Sequence, residues 1–140
     1  MGLEASRRQV VLGAGAVVGA SVLGRSASAA ELRAVVVGCG NRGRSLVGAA
    51  QGNGLALQWT GFCDIQPQKA RAVANTYDPL AQIFGSVEHL IEGVKQADIA
   101  IVATPNHTHL EITRLLLAAG YHVYLEKPMV VSLDEARELI

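Results

Sequence analysis

From Leu32 onward, short apolar runs alternate with stretches whose apolar residues recur at helical spacing. Leu32-Arg33-Ala34-Val35-Val36-Val37 is a β-branched run ending at Gly38, the pattern of a strand buried on both faces. Asn41 to Gln51 has helical spacing and is broken by Gly52-Asn53-Gly54. Leu55 to Phe62 predicts a second strand, and Gln66 to Tyr77 a second helix with Pro67 in its first turn. Ile83-Phe84 predicts a brief third strand, followed by a helix capped by Ser86 and running through Val94. Ile99 to Ala103 predicts a fourth strand, and Thr108 to Ala119 a helix stopped by Gly120. His122 to Leu125 predicts a fifth strand. Ser132-Leu133-Asp134-Glu135 has the spacing of a capping box and opens a last helix toward Ile140. Strands alternating with helices of this length build βαβ units. The expected fold class is therefore α/β, a doubly wound parallel sheet with helices on both faces.

The first thirty residues follow a different pattern. Ser6-Arg7-Arg8 is a positive entry, Val10 to Leu23 carries no charge, and Ala27-Ser28-Ala29 has the small residues a signal peptidase accepts. The apolar run is shorter than the roughly 20 residues a membrane helix needs. The paired arginines resemble the twin-arginine export signal, with an ordinary secretory signal or uncleaved anchor as the alternative. The expectation is a twin-arginine leader over residues 1–29, recognised by that export machinery, and a domain over residues 30–140. It places the protein in the periplasm or outside the cell.

Charge excludes one class of partner. Lys plus Arg is 12 and Asp plus Glu is 12, a balance without the basic excess a nucleic-acid binder shows. Two cysteines in 140 residues are too few for a disulfide scaffold or a four-thiolate zinc site.

Gly38-Cys39-Gly40-Asn41-Arg42-Gly43 is a complete G-x-G-x-x-G between a strand and a helix, the context that gives the pattern meaning. In such a motif Gly38 permits the tight turn, Gly40 lets a pyrophosphate approach the backbone, and Gly43 lets helix and strand pack closely. Main-chain N–H groups at the helix start then face the phosphates. Asp64 closes the second strand, placed to accept both ribose hydroxyls of NAD and to repel the 2′-phosphate of NADP. Arg42 or Arg44 is the feature that favours a phosphate instead. The sheet is thus expected to be a Rossmann fold, with NAD rather than NADP as cofactor.

Two further motifs follow strands. Thr104-Pro105-Asn106-His107-Thr108-His109 comes after the fourth, at the edge where open α/β sheets bind ligands. His107 and His109, two apart with no Cys or carboxylate cluster nearby, make a poor zinc site, so no metal is expected. Pro105 and Asn106 shape a wall around the nicotinamide ribose, while His109 has a plain alternative as a packing residue of the helix start. Glu126-Lys127-Pro128 comes after the fifth strand. A lysine aimed there can hydrogen-bond a substrate hydroxyl and help move its proton.

In this order the three motifs resemble the glucose–fructose oxidoreductase/inositol dehydrogenase (Gfo/Idh/MocA) family, over essentially all of residues 31–140. The resemblance implies NAD(P)-dependent hydride transfer on a sugar, cyclitol or related polyol. It implies that Lys127 is the catalytic lysine, with Glu126 and Pro128 beside the nicotinamide. It also implies that Thr104, Pro105 and Asn106 contact the cofactor and that His109 occupies the family's histidine position. Family members carry a C-terminal α/β domain that covers the substrate, and their full-length forms pair as homo-oligomers. The chain is accordingly expected to be the cofactor portion, truncated before that domain, binding NAD weakly and turning over little by itself. Two alternatives remain: an NAD-dependent glycosidase of the same superfamily, or a non-catalytic nucleotide-binding module. For an exported enzyme, a non-dissociating NAD is expected. Cys39 and Cys63 lie at the ends of neighbouring strands and read as two buried thiols rather than a disulfide.

Overall fold

A computed structural model describes residues 31–94 and 96–140; the leader expected over residues 1–29 lies outside the described residues. The elements follow in the order β1 (Leu32–Val37), α1 (Asn41–Gly52), β2 (Leu57–Cys63), α2 (Pro67–Tyr77), β3 (Gln82–Phe84) and α3 (Val87–Gly93). Then come β4 (Ile99–Val102), a 3-10 turn (Asn106–Thr108), α4 (His109–Ala118), β5 (His122–Leu125) and α5 (Leu133–Leu139). All strand pairs are parallel, in the order β3-β2-β1-β4-β5.

Strand β1 is central, and its alternation splits the core in two. Ala34 and Val36 pack with Val47 of α1 and with Val73 and Ala74 of α2. Val35 and Val37 point the other way, into a cluster with Leu90 of α3 and Leu116 of α4. A strand clothed on both faces cannot alternate apolar with polar, which is why Ala34-Val35-Val36-Val37 is uniformly apolar. Each fully buried side chain of this kind contributes about 1.5–3 kcal/mol of transfer free energy.

Most boundaries differ from the sequence pattern by one or two residues, three of them for a visible reason. β2 begins at Leu57 rather than Leu55, because the Leu55 N–H turns back to Ala50 O (3.1 Å) to close α1. It ends at Cys63, which pairs with Val37 and Phe84, so Asp64 is the first residue beyond it. α4 begins at His109 rather than Thr108, since Pro105 starts a tighter turn closed by Thr108 N–H to Pro105 O at 3.0 Å. Both predicted caps are formed: Ser86 Oγ accepts from His89 N, and Ser132 Oγ from Glu135 N. Between Ala34 and Val35 of β1 the register against β2 slips by one residue, Thr60 being the extra one, and the Thr60 hydroxyl donates to Ala34 O at 3.2 Å there.

Candidate functional site

The sheet register sets the site. Val37, Cys63, Phe84, Val102 and Leu125 are partners at one edge, so the loops after all five strands emerge side by side. Strand order reverses beside β1, which opens a crevice between the loops after β1 and β4.

The glycines shape that crevice. Gly38 has φ +92°, and a Cβ there would lie 2.6 Å from the Ala103 carbonyl carbon. A Cβ on Gly43 would lie 1.9 Å from Gly38 O, so the start of α1 reaches the turn only without a side chain. Gly40 is different: a Cβ there meets no described atom within 4 Å and points into the open crevice. Two glycines therefore serve the fold, and the third leaves room for a ligand at the helix start.

Asp64 is held from both sides. Its Oδ2 accepts from Cys39 N at 2.9 Å and its Oδ1 from Gln66 N at 2.9 Å. A carboxylate has about four lone-pair positions, so each oxygen keeps capacity for a ribose hydroxyl. Both nearby arginines are engaged by other side chains. Arg42 bonds Glu126 Oε1 at 2.6 Å, and Arg44 bonds Thr76 Oγ1 on α2 at 2.9 Å.

At the other end of the crevice, Glu126 is buried while Lys127 is exposed. Glu126 Oε2 accepts from the Lys127 N–H at 3.2 Å. The hydrogen bond from Arg42 is the main reason the Glu126 carboxyl sits below its ordinary range, with the Lys127 N–H and both cationic neighbours adding to it. The Lys127–Pro128 peptide is cis. Arg42, Thr104, Asn106, Glu126 and Lys127 line a hollow of about 390 Å³. A larger cavity of about 600 Å³ runs from Gly38 and Gly40 past Asp64 to Thr104 and Pro105. Arg42 and Thr104 border both, so the two form one track along the sheet edge.

The profile of the Gfo/Idh/MocA family, described as an oxidoreductase family with an NAD-binding Rossmann fold, matches residues 32–140. The chain belongs to this family. D-glucoside 3-dehydrogenase of Escherichia coli (strain K12) is 29% identical over 112 residues, 80% of this chain and 31% of that protein. UDP-N-acetylglucosamine 3-dehydrogenase of Acidithiobacillus ferrooxidans is 31% identical over 110 residues, 79% of this chain and 33% of that protein. The crystal structure of the WlbA dehydrogenase from Bordetella pertussis, in complex with NADH and UDP-GlcNAcA, matches with a TM-score of 0.70 at 27% identity. That match covers 78% of this chain and 33% of the other. The chain spans about a third of the length of these relatives.

The residues present fit the cofactor of this NAD-binding oxidoreductase family. The open side of Gly40, the free N–H groups at the start of α1 and the oriented Asp64 carboxylate answer the diphosphate and ribose in turn. His109 lines neither cavity: it is fully buried, with both ring nitrogens turned to main-chain carbonyls. Cys39 is buried too and contributes its N–H to Asp64. Among the described residues, no three His, Cys, Asp or Glu side chains converge to hold a metal. Ile65 and Ile112 also line the large cavity, and sequence reading missed them. Ile65 carries a usable sequence signal, being a large apolar residue directly after Asp64 at a strand end, and it is 87% exposed.

Cys39 and Cys63 are free and buried. Burial, with the Asp64 charge nearby, pushes both thiols up to about 12. They are therefore held as inert neutral thiols.

Proposed function

We propose that this chain is the cofactor-binding portion of an NAD-dependent dehydrogenase that oxidises a secondary hydroxyl of a sugar or related polyol. The observation that carries the reading is the alignment of Gly40, Asp64 and Lys127 along one sheet edge, joined by a single track. The names of two relatives, both 3-dehydrogenases of glucosyl compounds, support a pyranose substrate oxidised at C3. NAD, when bound, supplies the hydride acceptor. The start of α1 holds the diphosphate, and Asp64 selects NAD by accepting two ribose hydroxyls where a 2′-phosphate would be repelled. Lys127 reaches the open hollow from the end of β5 with its main-chain N–H fixed by Glu126. Its Nζ, acting as the neutral amine, accepts a hydrogen bond from the substrate hydroxyl and takes the hydroxyl proton to become the ammonium. Thr104, Pro105 and Asn106 wall the track opposite.

The test offers the protein, as its gene encodes it, NAD and a panel of pyranosides and cyclitols, and follows NADH absorbance. NADH formation that falls at least about a hundredfold in Lys127→Ala supports the reading, the lower end of what a positioned acid–base group supplies. Equal rates remove Lys127 from the chemistry, and silence with every substrate removes the activity.

Residues 1–29 act in this reading as a twin-arginine leader, and the protein works after export in its folded form, carrying NAD with it. Ser6-Arg7-Arg8, the uncharged run and Ala27-Ser28-Ala29 support this. A reporter fused to residues 1–30 should be exported, and replacing Arg7 and Arg8 by lysine should stop it.

A further inference from the structure

Strand order sets the direction of a bound dinucleotide. In the reading above Asp64, which follows β2, takes the adenosine ribose, and the start of α1, which follows β1, takes the diphosphate. The other half then runs away from β2, across the end of β4 and toward β5. It reaches the hollow of about 390 Å³ that Arg42, Thr104, Asn106, Glu126 and Lys127 border. That half carries the nicotinamide, the part whose charge changes in the reaction. The ring is cationic in NAD+ and becomes neutral in NADH on accepting a hydride.

An unpaired arginine at this hollow would oppose the cationic ring. Arg42 is paired: its guanidinium lies 2.6 Å from the buried Glu126 carboxylate. We infer that the Arg42–Glu126 pair sets the preference between NAD+ and NADH, Glu126 cancelling an arginine charge that would otherwise repel the oxidised nicotinamide.

The position of the pair supports this role. Arg42 is more than half exposed and borders both cavities, so its charge faces the junction the dinucleotide crosses. Among the described residues Arg42 is the ion-pair partner of Glu126, whose other oxygen accepts the Lys127 N–H. The bond between the two side chains is the main reason Arg42 lies above its ordinary range and Glu126 below. Both therefore stay charged at neutral pH. A plain brace between α1 and the lysine loop would affect both forms of the cofactor alike. A charge that faces the ring tells them apart.

The inference rests on the NAD reading above. Its test titrates the intact protein with NAD+ and, separately, with NADH, and reads the ratio of the two dissociation constants. Four proteins are compared: unaltered, Glu126→Gln, Arg42→Met and the double variant. Glu126→Gln leaves the arginine charge bare, so NAD+ is expected to weaken relative to NADH by about tenfold. Arg42→Met leaves a bare carboxylate and is expected to move the ratio by a similar factor the other way. The double variant is expected to return close to the unaltered ratio. The same series on a Lys127→Gln background keeps that lysine's charge out of the comparison and is expected to move alike.

A ratio that stays fixed, or that moves in the same direction in both single variants, overturns the inference. Equal loss of both affinities, the signature of a brace, counts as a fixed ratio. If melting curves show that one single variant does not fold, the direction of change in the other decides. Failure of the unaltered protein to bind either form defeats the NAD reading itself. Binding of both forms with an unmoved ratio leaves that reading standing and removes this inference alone.

Discussion

The guanidinium of Arg42, in the first turn of α1, lies 2.6 Å from the Glu126 carboxylate at the end of β5, across 84 residues of sequence. The other carboxylate oxygen accepts the N–H of Lys127. One buried carboxylate thus connects the start of α1 with the lysine loop, passing over the end of β4.

This pair predicts an acid-sensitive share of stability. Glu126 lies below the ordinary glutamate value of 4.5 in the folded protein, chiefly through Arg42. A depressed carboxylate stabilises the fold above its unfolded value, and that share is lost as pH falls through the folded one. Thermal melting followed by Trp59 fluorescence should therefore decline less steeply below about pH 4.5 in Glu126→Gln than in the wild type. A residual slope from Asp98, lowered mainly by the Arg33 N–H, should persist in both. In Arg42→Ala, where the chief cause of the depression is gone, the acid-sensitive share should shrink as it does in Glu126→Gln. Parallel curves for all three would show that the ion pair is not formed.

The last two glycines of the motif should separate binding from folding. Gly40→Ala has room and a backbone of φ −71° that alanine accepts, so its melting should stay near the wild type. Its NADH affinity should nonetheless fall at least about tenfold, the cost of crowding the diphosphate. Gly43→Ala drives a Cβ to 1.9 Å from Gly38 O and should destabilise by about 1–3 kcal/mol, as overpacking does. Denaturant melts and NADH titrations of the two variants check this, and a stable Gly43→Ala would contradict the packing account.

Asp64 should act as selector and as brace. Asp64→Ala removes the acceptor for both Cys39 N and Gln66 N. NADH affinity should drop about tenfold or more while NADPH affinity changes little, since two hydroxyl bonds and one repulsion disappear together. Competition between the two nucleotides measures the ratio, and an unchanged NADH/NADPH preference would take Asp64 out of the ribose site.

The sequence made the backbone of this site legible wherever local chemistry governs it. The β-branched run before Gly38, the glycine spacing, Ser86, Ser132 and Gly120 each act within a few residues, and each is where the pattern places it. Leu55 was misplaced because its N–H closes the preceding helix, a bond that its apolar side chain does not advertise. The ties that organise the site were illegible for another reason. Arg42 with Glu126, Cys39 with Asp64, and His109 with Pro128 join residues 84, 25 and 19 positions apart. Such partners become neighbours only when the parallel register brings the strand ends together. His109 shows this best, since nothing near it in sequence reveals that both its nitrogens face carbonyls.

The cysteines should be silent. With Cys39 and Cys63 pushed up to about 12, almost no thiolate is present near neutral pH. Alkylation followed by mass spectrometry should label neither in the native protein at pH 8 and both after denaturation. Rapid native labelling of either would show that the loop opens to solvent.

The account stands or falls on calorimetric titration of the folded protein with NADH and, separately, NADPH. It predicts saturable one-to-one binding of NADH, with NADPH clearly weaker. No heat with NADH, or a preference for NADPH, would contradict it.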